Sequence, residues 1–333
     1  MNTFADSLLK SAKAGKTMIT AHTGPDDDSI GSVLTMHHTL QERNISSDII
    51  YEAGESDRWK SFTGYEDIIF VDSLAQHVKK YDTVILLDAN ELSRFSEDDI
   101  SIPGTTFLID HHVEEDTTQF TKTHIDATAA STTYLIYDLF WKGSSIPQSV
   151  CESLLLGILG DTGYFTYINP DNADVLGAGQ DLIEQGNIRL EEFLTRFNDT
   201  KQEAFEVFQK VISNARIKRM EGWPPFMYSF LDESDIEQYN DAVISTGAHM
   251  FVSWPKRVEG IGWGFVYTPR STNKVACSYR SVPGSVDVQD IAKRMDVGGG
   301  HIHAAGARFD DMTVQEALEQ TFEWMRKHEP VLD

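Results

Sequence analysis

Long apolar runs are missing from this chain. No window approaches the ~18–20 consecutive apolar residues that a membrane-spanning helix needs. Residues 1–16 read as a short amphipathic helix (Phe4, Leu8, Leu9, Ala12) without the uninterrupted apolar stretch of a secretory signal. Cysteine is scarce. Cys151 and Cys277 fall far apart in different expected elements, which favours buried, reduced thiols in a cytoplasmic setting over a structural disulfide. Basic residues are few, 28 against 52 acidic ones, giving a formal charge of −24. Such a surface repels long polyanions and argues against a broad basic stripe for duplex nucleic acid. It leaves short anionic ligands open, because two divalent ions would add about +4 inside one cleft. A salt-adapted host is a second source for the same acidity. Internal repeats and low-complexity segments are absent too. With 41% apolar and 11% aromatic residues over 333 positions, the chain has the material for two globular domains.

What is present is alternation. Short apolar runs at 17–21, 47–51, 68–71, 83–87 and 105–109 read as strands, and helical spacing follows at 29–43, 129–141 and 147–159. Strands alternating with helices predict an α/β domain: a mainly parallel sheet flanked by helices, with ligands beyond the carboxyl ends of its strands. Helical periods at 172–185, 190–197 and 201–216 lead onward. Gly186 and the Asn198-Asp199 turn are candidate boundary points. Strands at 225–231, 262–267 and 274–279, with helices at 288–295 and 313–327, predict a second, smaller α+β domain. The expected division is 1–187, a helical linker over 188–215, and 216–333.

Acids and imidazoles gather at those strand and helix ends. His22 is followed by Asp26, Asp27 and Asp28; Asp88 follows Val84–Leu87; Asp110-His111-His112 follows Thr106–Ile109; and Asp161 sits in Gly160-Asp161-Thr162-Gly163. Singly, each has a simpler account: a capping loop with solvated acids, a helix cap, a locked core histidine beside an exposed one, a glycine C-cap. Together they are what a two-cation hydrolytic site requires. His22 with two alternate acids, Asp88, His111 and Asp161 are expected to ligate. Strand alternation predicts His112 on the other side from His111, facing substrate. The helix after the loop is expected to start near Ser29, and His37 and His38 are read as structural. Nitrogen and oxygen ligands without thiolate disfavour structural zinc and calcium. Mn2+ fits best, with Mg2+, Co2+ or Fe2+ as alternatives.

At these residues the sequence resembles the DHH phosphoesterase family, whose motif stands here as Asp110-His111-His112. His22-Thr-Gly-Pro-Asp26-Asp-Asp28-Ser-Ile-Gly31-Ser32 resembles the family's first motif, Asp88 its second and Gly160–Phe165 its fourth. Cys277–Ser281 and Gly298–Gly306 resemble the DHH-associated C-terminal domain. The resemblance implies metal-dependent hydrolysis of short oligonucleotides or dinucleotides, as in the compact nanoRNases that also act on 3′-phosphoadenosine-5′-phosphate and in cyclic-dinucleotide phosphodiesterases. It implies one cation on His22, Asp26 and Asp88, and another on Asp28, Asp88, His111 and Asp161. His112 would stabilise the developing charge or protonate the leaving oxygen, and Asp110 would orient His111 or His112 rather than ligate. Arg280, Ser281, Gly298, Gly299, Gly300 and His301 would bind substrate from the second domain, the glycines through backbone amides that approach a phosphate closely, with the active site in the cleft between domains. A homodimer is carried by the same analogy. The rival readings are a manganese pyrophosphatase or exopolyphosphatase and a catalytically silent nucleotide sensor. Asp27-Asp28-Ser29 replaces the family's usual Gly-Asp-Ala, so Asp27 either joins the ligands or only raises the local charge.

Overall fold

Continuous apolar runs become strands buried on both faces. The computed structural model describes residues 3–113, 116–198, 200–270 and 274–333. It divides into two units, 1–198 and 199–333. Asp199, named above as a boundary point, lies outside the described residues. In chain order the first unit contains α1 (Thr3–Ala14), β1 (Thr17–Ala21), α2 (Asp27–Gln41), β2 (Asp48–Tyr51), β3 (Ile68–Phe70), β4 (Thr83–Leu87), β5 (Thr105–Asp110), β6 (Lys122–Ile125), α3 (Thr132–Phe140), α4 (Gln148–Asp161), α5 (Val175–Gln185) and α6 (Leu190–Asn198).

The six strands lie in the order β3-β2-β1-β4-β5-β6, and every described pairing is parallel. Side-chain alternation splits them between two cores. Ile19, Ala21, Ile85, Leu87, Phe107 and Ile109 face the helical core, whereas Met18, Val84, Leu86 and Leu108 face the opposite layer. Burial on both sides is why these strands read as unbroken apolar runs. The order reverses between β1 and β4, and a doubly wound sheet opens its ligand crevice at such a switch point. Helices α2 and α4 cross closely at two glycines. A Cβ on Gly31 would lie 2.7 Å from the Ser153 carbonyl, and one on Gly157 would lie 2.5 Å from Asp28 Oδ1 and from the Thr133 side chain.

The second unit contains α7 (Gln202–Asn214), β7 (Arg216–Met220), β8 (Trp223–Phe230), α8 (Glu233–Ile236), α9 (Asp241–Phe251), β9 (Trp263–Arg270), β10 (Lys274–Ser281), α10 (Val288–Arg294), β11 (Gly298–His301), β12 (Ala304–Asp310) and α11 (Val314–Lys327). Its sheet runs β11-β12-β10-β9-β8-β7 and is mixed: β8 and β9 pair parallel, the other neighbours antiparallel. Alternation again feeds two cores, with Trp263, Phe265 and Tyr267 packed with α10 and α11, and Val266 with α7 and α9. Phe193 of α6 belongs to the first unit's core, while Val207 and Val211 of α7 belong to the second unit. Cys151 and Cys277 are buried free thiols. Among the described residues no helix is long and apolar enough to cross a membrane.

Candidate metal centre

Three strand ends and two helix ends deliver the acids and imidazoles. His22 follows β1. The next carboxylate, Asp26, is the N-cap of α2: its Oδ1 accepts the Ser29 amide at 2.9 Å, while Ser29 Oγ accepts the Asp26 amide at 2.9 Å. This reciprocal capping box starts α2 at Asp27, two residues before the start expected from the sequence. Asp28 therefore sits inside the first helical turn and is fully buried. Its Oδ2 accepts the Thr132 amide at 2.7 Å, and its Oδ1 accepts the Thr133 amide at 3.0 Å and the Thr133 hydroxyl at 2.7 Å. One carboxylate thus satisfies the free amides at the start of α3.

Asp88 stands at the centre. It follows β4 with a left-handed backbone, φ 67°, a conformation that costs a non-glycine residue ~1–2 kcal/mol. Its Oδ2 lies 3.4 Å from His22 Nε2, and its Oδ1 lies 3.7 Å from His111 Nε2. Thr132 Oγ1 donates to that same Oδ1 at 2.9 Å. Burial, then the charges of Asp28, Asp26, Asp161 and Asp110, push the Asp88 carboxyl well above its ordinary range.

Asp161, the last residue of α4, receives His111 Nε2 at 2.9 Å. Burial and Asp28 raise the Asp161 carboxyl to about 7, against the opposing pull of His111. Burial alone would lower His111, but Asp161, Asp28 and Asp110 outweigh it and bring the imidazole to about 9. The other ring nitrogen, Nδ1, donates to the Ala129 carbonyl at 3.4 Å, which turns Nε2 towards the carboxylates. His22 is different: burial, against the pull of Asp26, holds it below the usual histidine value, which favours the neutral form a ligand takes. Its Nδ1 is buried without a hydrogen-bond partner among the described residues.

The DHH histidines do not point to opposite sides. β5 ends at Asp110, so strand alternation no longer applies, and the two rings lie edge to face with centroids 4.5 Å apart. His112 Nδ1 donates to Asp110 Oδ1 at 2.7 Å, and Asn90 Nδ2 donates to Asp110 Oδ2 at 2.7 Å and to the Val113 carbonyl at 3.0 Å. Asp110 is fully buried, which would raise its carboxyl, yet the His112 bond and the charges of both histidines hold it below its ordinary range. The share of Asn90 in this relay was invisible in the sequence, because nothing but proximity to Asp88 marks it.

Among the described residues, three groups have ligand atoms within 4.8 Å of one another: His22, Asp26 and Asp88; Asp28, His111 and Asp161; and Asp88, His111 and His112. A neutral imidazole, carboxylates crowded beyond what burial tolerates, and a ligand-facing Nε2 on His111 all suit hard-to-borderline divalent cations. The donor set fits divalent cations. His37 and His38, read as structural, sit on α2 away from these groups: His37 Nδ1 pairs with Ser47 Oγ at 2.9 Å, and burial beside His37 lowers His38 to about 4.

The remaining sequence candidates lie in the second unit. Arg280 and Ser281 close β10; Arg280 Nη1 donates to the Tyr279 carbonyl at 2.8 Å, and Ser281 Oγ pairs with His303 Nδ1 at 3.0 Å. Gly298, Gly299, Gly300 and His301 form β11, the terminal strand of the described sheet. A Cβ on Gly298 would lie 2.0 Å from the Gly306 carbonyl and one on Gly300, whose φ is 144°, 2.5 Å from the Ala304 carbonyl. Close strand pairing explains those two glycines. At Gly299 a Cβ meets nothing within 4 Å.

A doubly wound sheet with histidine and aspartate at its switch point, followed by a mixed-sheet unit, defines a DHH-type phosphoesterase scaffold. Residues 16–158 match the DHH family N-terminal domain and residues 236–327 match the DHHA1 domain, and the chain belongs to this family. A bifunctional oligoribonuclease and PAP phosphatase, NrnA of Thermus thermophilus, is 27% identical over 325 residues, covering 96% of this chain and 92% of that protein. The cyclic-di-AMP phosphodiesterase PdeA of Listeria monocytogenes is 24% identical over 332 residues, and the match spans 92% of this chain but only 47% of that protein. The solved structure of an exopolyphosphatase-related protein from Bacteroides fragilis superposes with a TM-score of 0.85 at 23% identity, covering 98% of this chain and 97% of that one. That likeness establishes the fold.

Proposed function

We propose that this chain is a two-cation phosphoesterase that hydrolyses short nucleotides such as dinucleotides, with 3′-phosphoadenosine-5′-phosphate and cyclic di-AMP as further candidates. The observation that carries the reading is Asp88, buried in a strained backbone, with one oxygen towards His22 and the other towards His111. His22, Asp26 and Asp88 would hold one ion; Asp28, Asp88, His111 and Asp161 would hold the other. Bound there, Mn2+ or a similar ion would supply an activated water and stabilise charge in an in-line displacement. The side chains supply the rest. Thr132 and Thr133 keep Asp28 and Asp88 aimed. Asn90 and Asp110 hold the His112 ring through its Nδ1 proton, so that the imidazolium form, its charge balanced by Asp110, would give the proton on Nε2 to the departing oxygen. Arg280, Ser281, Gly298, Gly299, Gly300 and His301 are assigned to substrate, the glycines through their backbone amides. On this reading residues 1–187 are catalytic, 216–333 bind substrate, and 188–215 link them. Names of the matched relatives support the substrate class, and the acidic surface supports short over long polyanions.

Incubation with Mn2+ and a panel of pApA, 3′-phosphoadenosine-5′-phosphate, cyclic di-AMP, pyrophosphate and a long oligoribonucleotide tests this. Mononucleotides should appear from the short substrates, turnover should stop in excess chelator, and Mn2+ should restore it. Phosphate released from pyrophosphate alone would move the chain to the pyrophosphatase reading, and binding without turnover would make it a sensor.

A further inference from the structure

Asp27, flanked by two proposed ligands, has the wrong neighbours to be one itself. Its carboxylate accepts Arg58 Nε at 2.9 Å and Nη2 at 2.7 Å, together with Trp59 Nε1 at 2.7 Å. The side chain is only 11% exposed, and it joins none of the three candidate ligand groups. Trp59 is buried in the helical core and roots the segment after β2. Arg58 also hydrogen-bonds Tyr164. Tyr164 lies just beyond Asp161 in a turn where Gly163, Tyr164 and Phe165 take φ values of 53°, 59° and 62°. Successive left-handed residues persist only where their surroundings over-determine them. The same side chain packs against the end of α4: a Cβ on Gly160 would lie 2.5 Å from Asp27 Cβ and 3.4 Å from its Oδ2.

We propose that Asp27 is a positioning residue which, through Arg58, ties the α2 start bearing Asp26 and Asp28 to the turn after Asp161. The strut holds the two acid-bearing segments at a fixed spacing before any cation arrives. Without cations those carboxylates repel, and a centre free to spread must be drawn together again when ions bind. A bidentate guanidinium fork suits the task because its geometry is planar and directional.

The inference rests on the two-cation reading, and the test separates the two. Mn2+ uptake by the full chain is followed through the electron paramagnetic resonance of free Mn2+, for the parent, Asp27→Ala, Arg58→Gln and the double variant. Simple electrostatics predicts opposite signs, because losing an anion near the site weakens cation binding and losing a cation strengthens it. A strut predicts that both singles bind Mn2+ about tenfold more weakly, as removal of an outer-shell partner does, and that the double is no worse than either single. Opposite signs, or unchanged affinity in Arg58→Gln, overturn the proposal. If Arg58→Gln fails to fold, Arg58→Lys, which keeps the charge and loses the fork, should show the same weakening, and parent-like affinity there overturns it as well. Failure of the parent to take up Mn2+ would instead remove the cation reading itself.

Discussion

His111 and Asp161 share one proton economy, and its sign is fixed by their surroundings. Both hold protons more tightly than in the unfolded chain, His111 to about 9 and Asp161 to about 7. In the cation-free protein each therefore loses its stabilising contribution as pH rises, Asp161 through about 7 and His111 through about 9. A cation must displace those protons. Mn2+ affinity should climb from pH 6 to pH 9, with protons released as the ions load. Calorimetry in two buffers of different ionisation enthalpy measures the release. A heat independent of buffer would contradict the assignment of His111.

The first unit's central strands were legible because burial on both faces leaves continuous apolar runs in β1, β4 and β5, and their carboxyl ends located His22, Asp88 and Asp110. Other elements carry no such signature. β6 is a half-exposed Lys-Thr-His-Ile segment, β7 is Arg-Ile-Lys-Arg-Met, and β11 is three glycines and a histidine. Such strands are made by their neighbours rather than by their own patterns. The Asp26-x-x-Ser29 capping box hid among acids that read as a loop, and the rings of His111 and His112 broke an alternation that stops where β5 stops. Asp28 and the α3 threonines whose amides it accepts are far apart in the chain, and α2 meets α3 beside the close α2–α4 approach at Gly31 and Gly157. At this scale the β11 glycines give a sharp expectation. Gly298→Ala should destabilise the chain by about 1–3 kcal/mol through overpacking against β12, and Gly299→Ala should leave the thermal midpoint unchanged. Equal losses in thermal unfolding would show that chain freedom, not strand contact, selects both glycines.

Across the whole molecule, the catalytic reading asks one sheet to keep at its crevice what its core would rather be without. Asp88 combines a left-handed backbone with a buried carboxyl group surrounded by its own kind. Asparagine tolerates that backbone and carries no charge to repel the other acids. The Asp88→Asn variant should therefore outlast the parent on heating in chelator, most clearly at alkaline pH, where the parent's carboxyl is forced to ionise. Adding Mn2+ should reverse the ranking, since ligand binding stabilises only the chain that binds. Scanning calorimetry with and without the ion reads both halves. The left-handed aspartate after β4 would thus make the inactive chain the hardier one whenever the metal is withheld, so that durability by itself is no guide to competence in this scaffold.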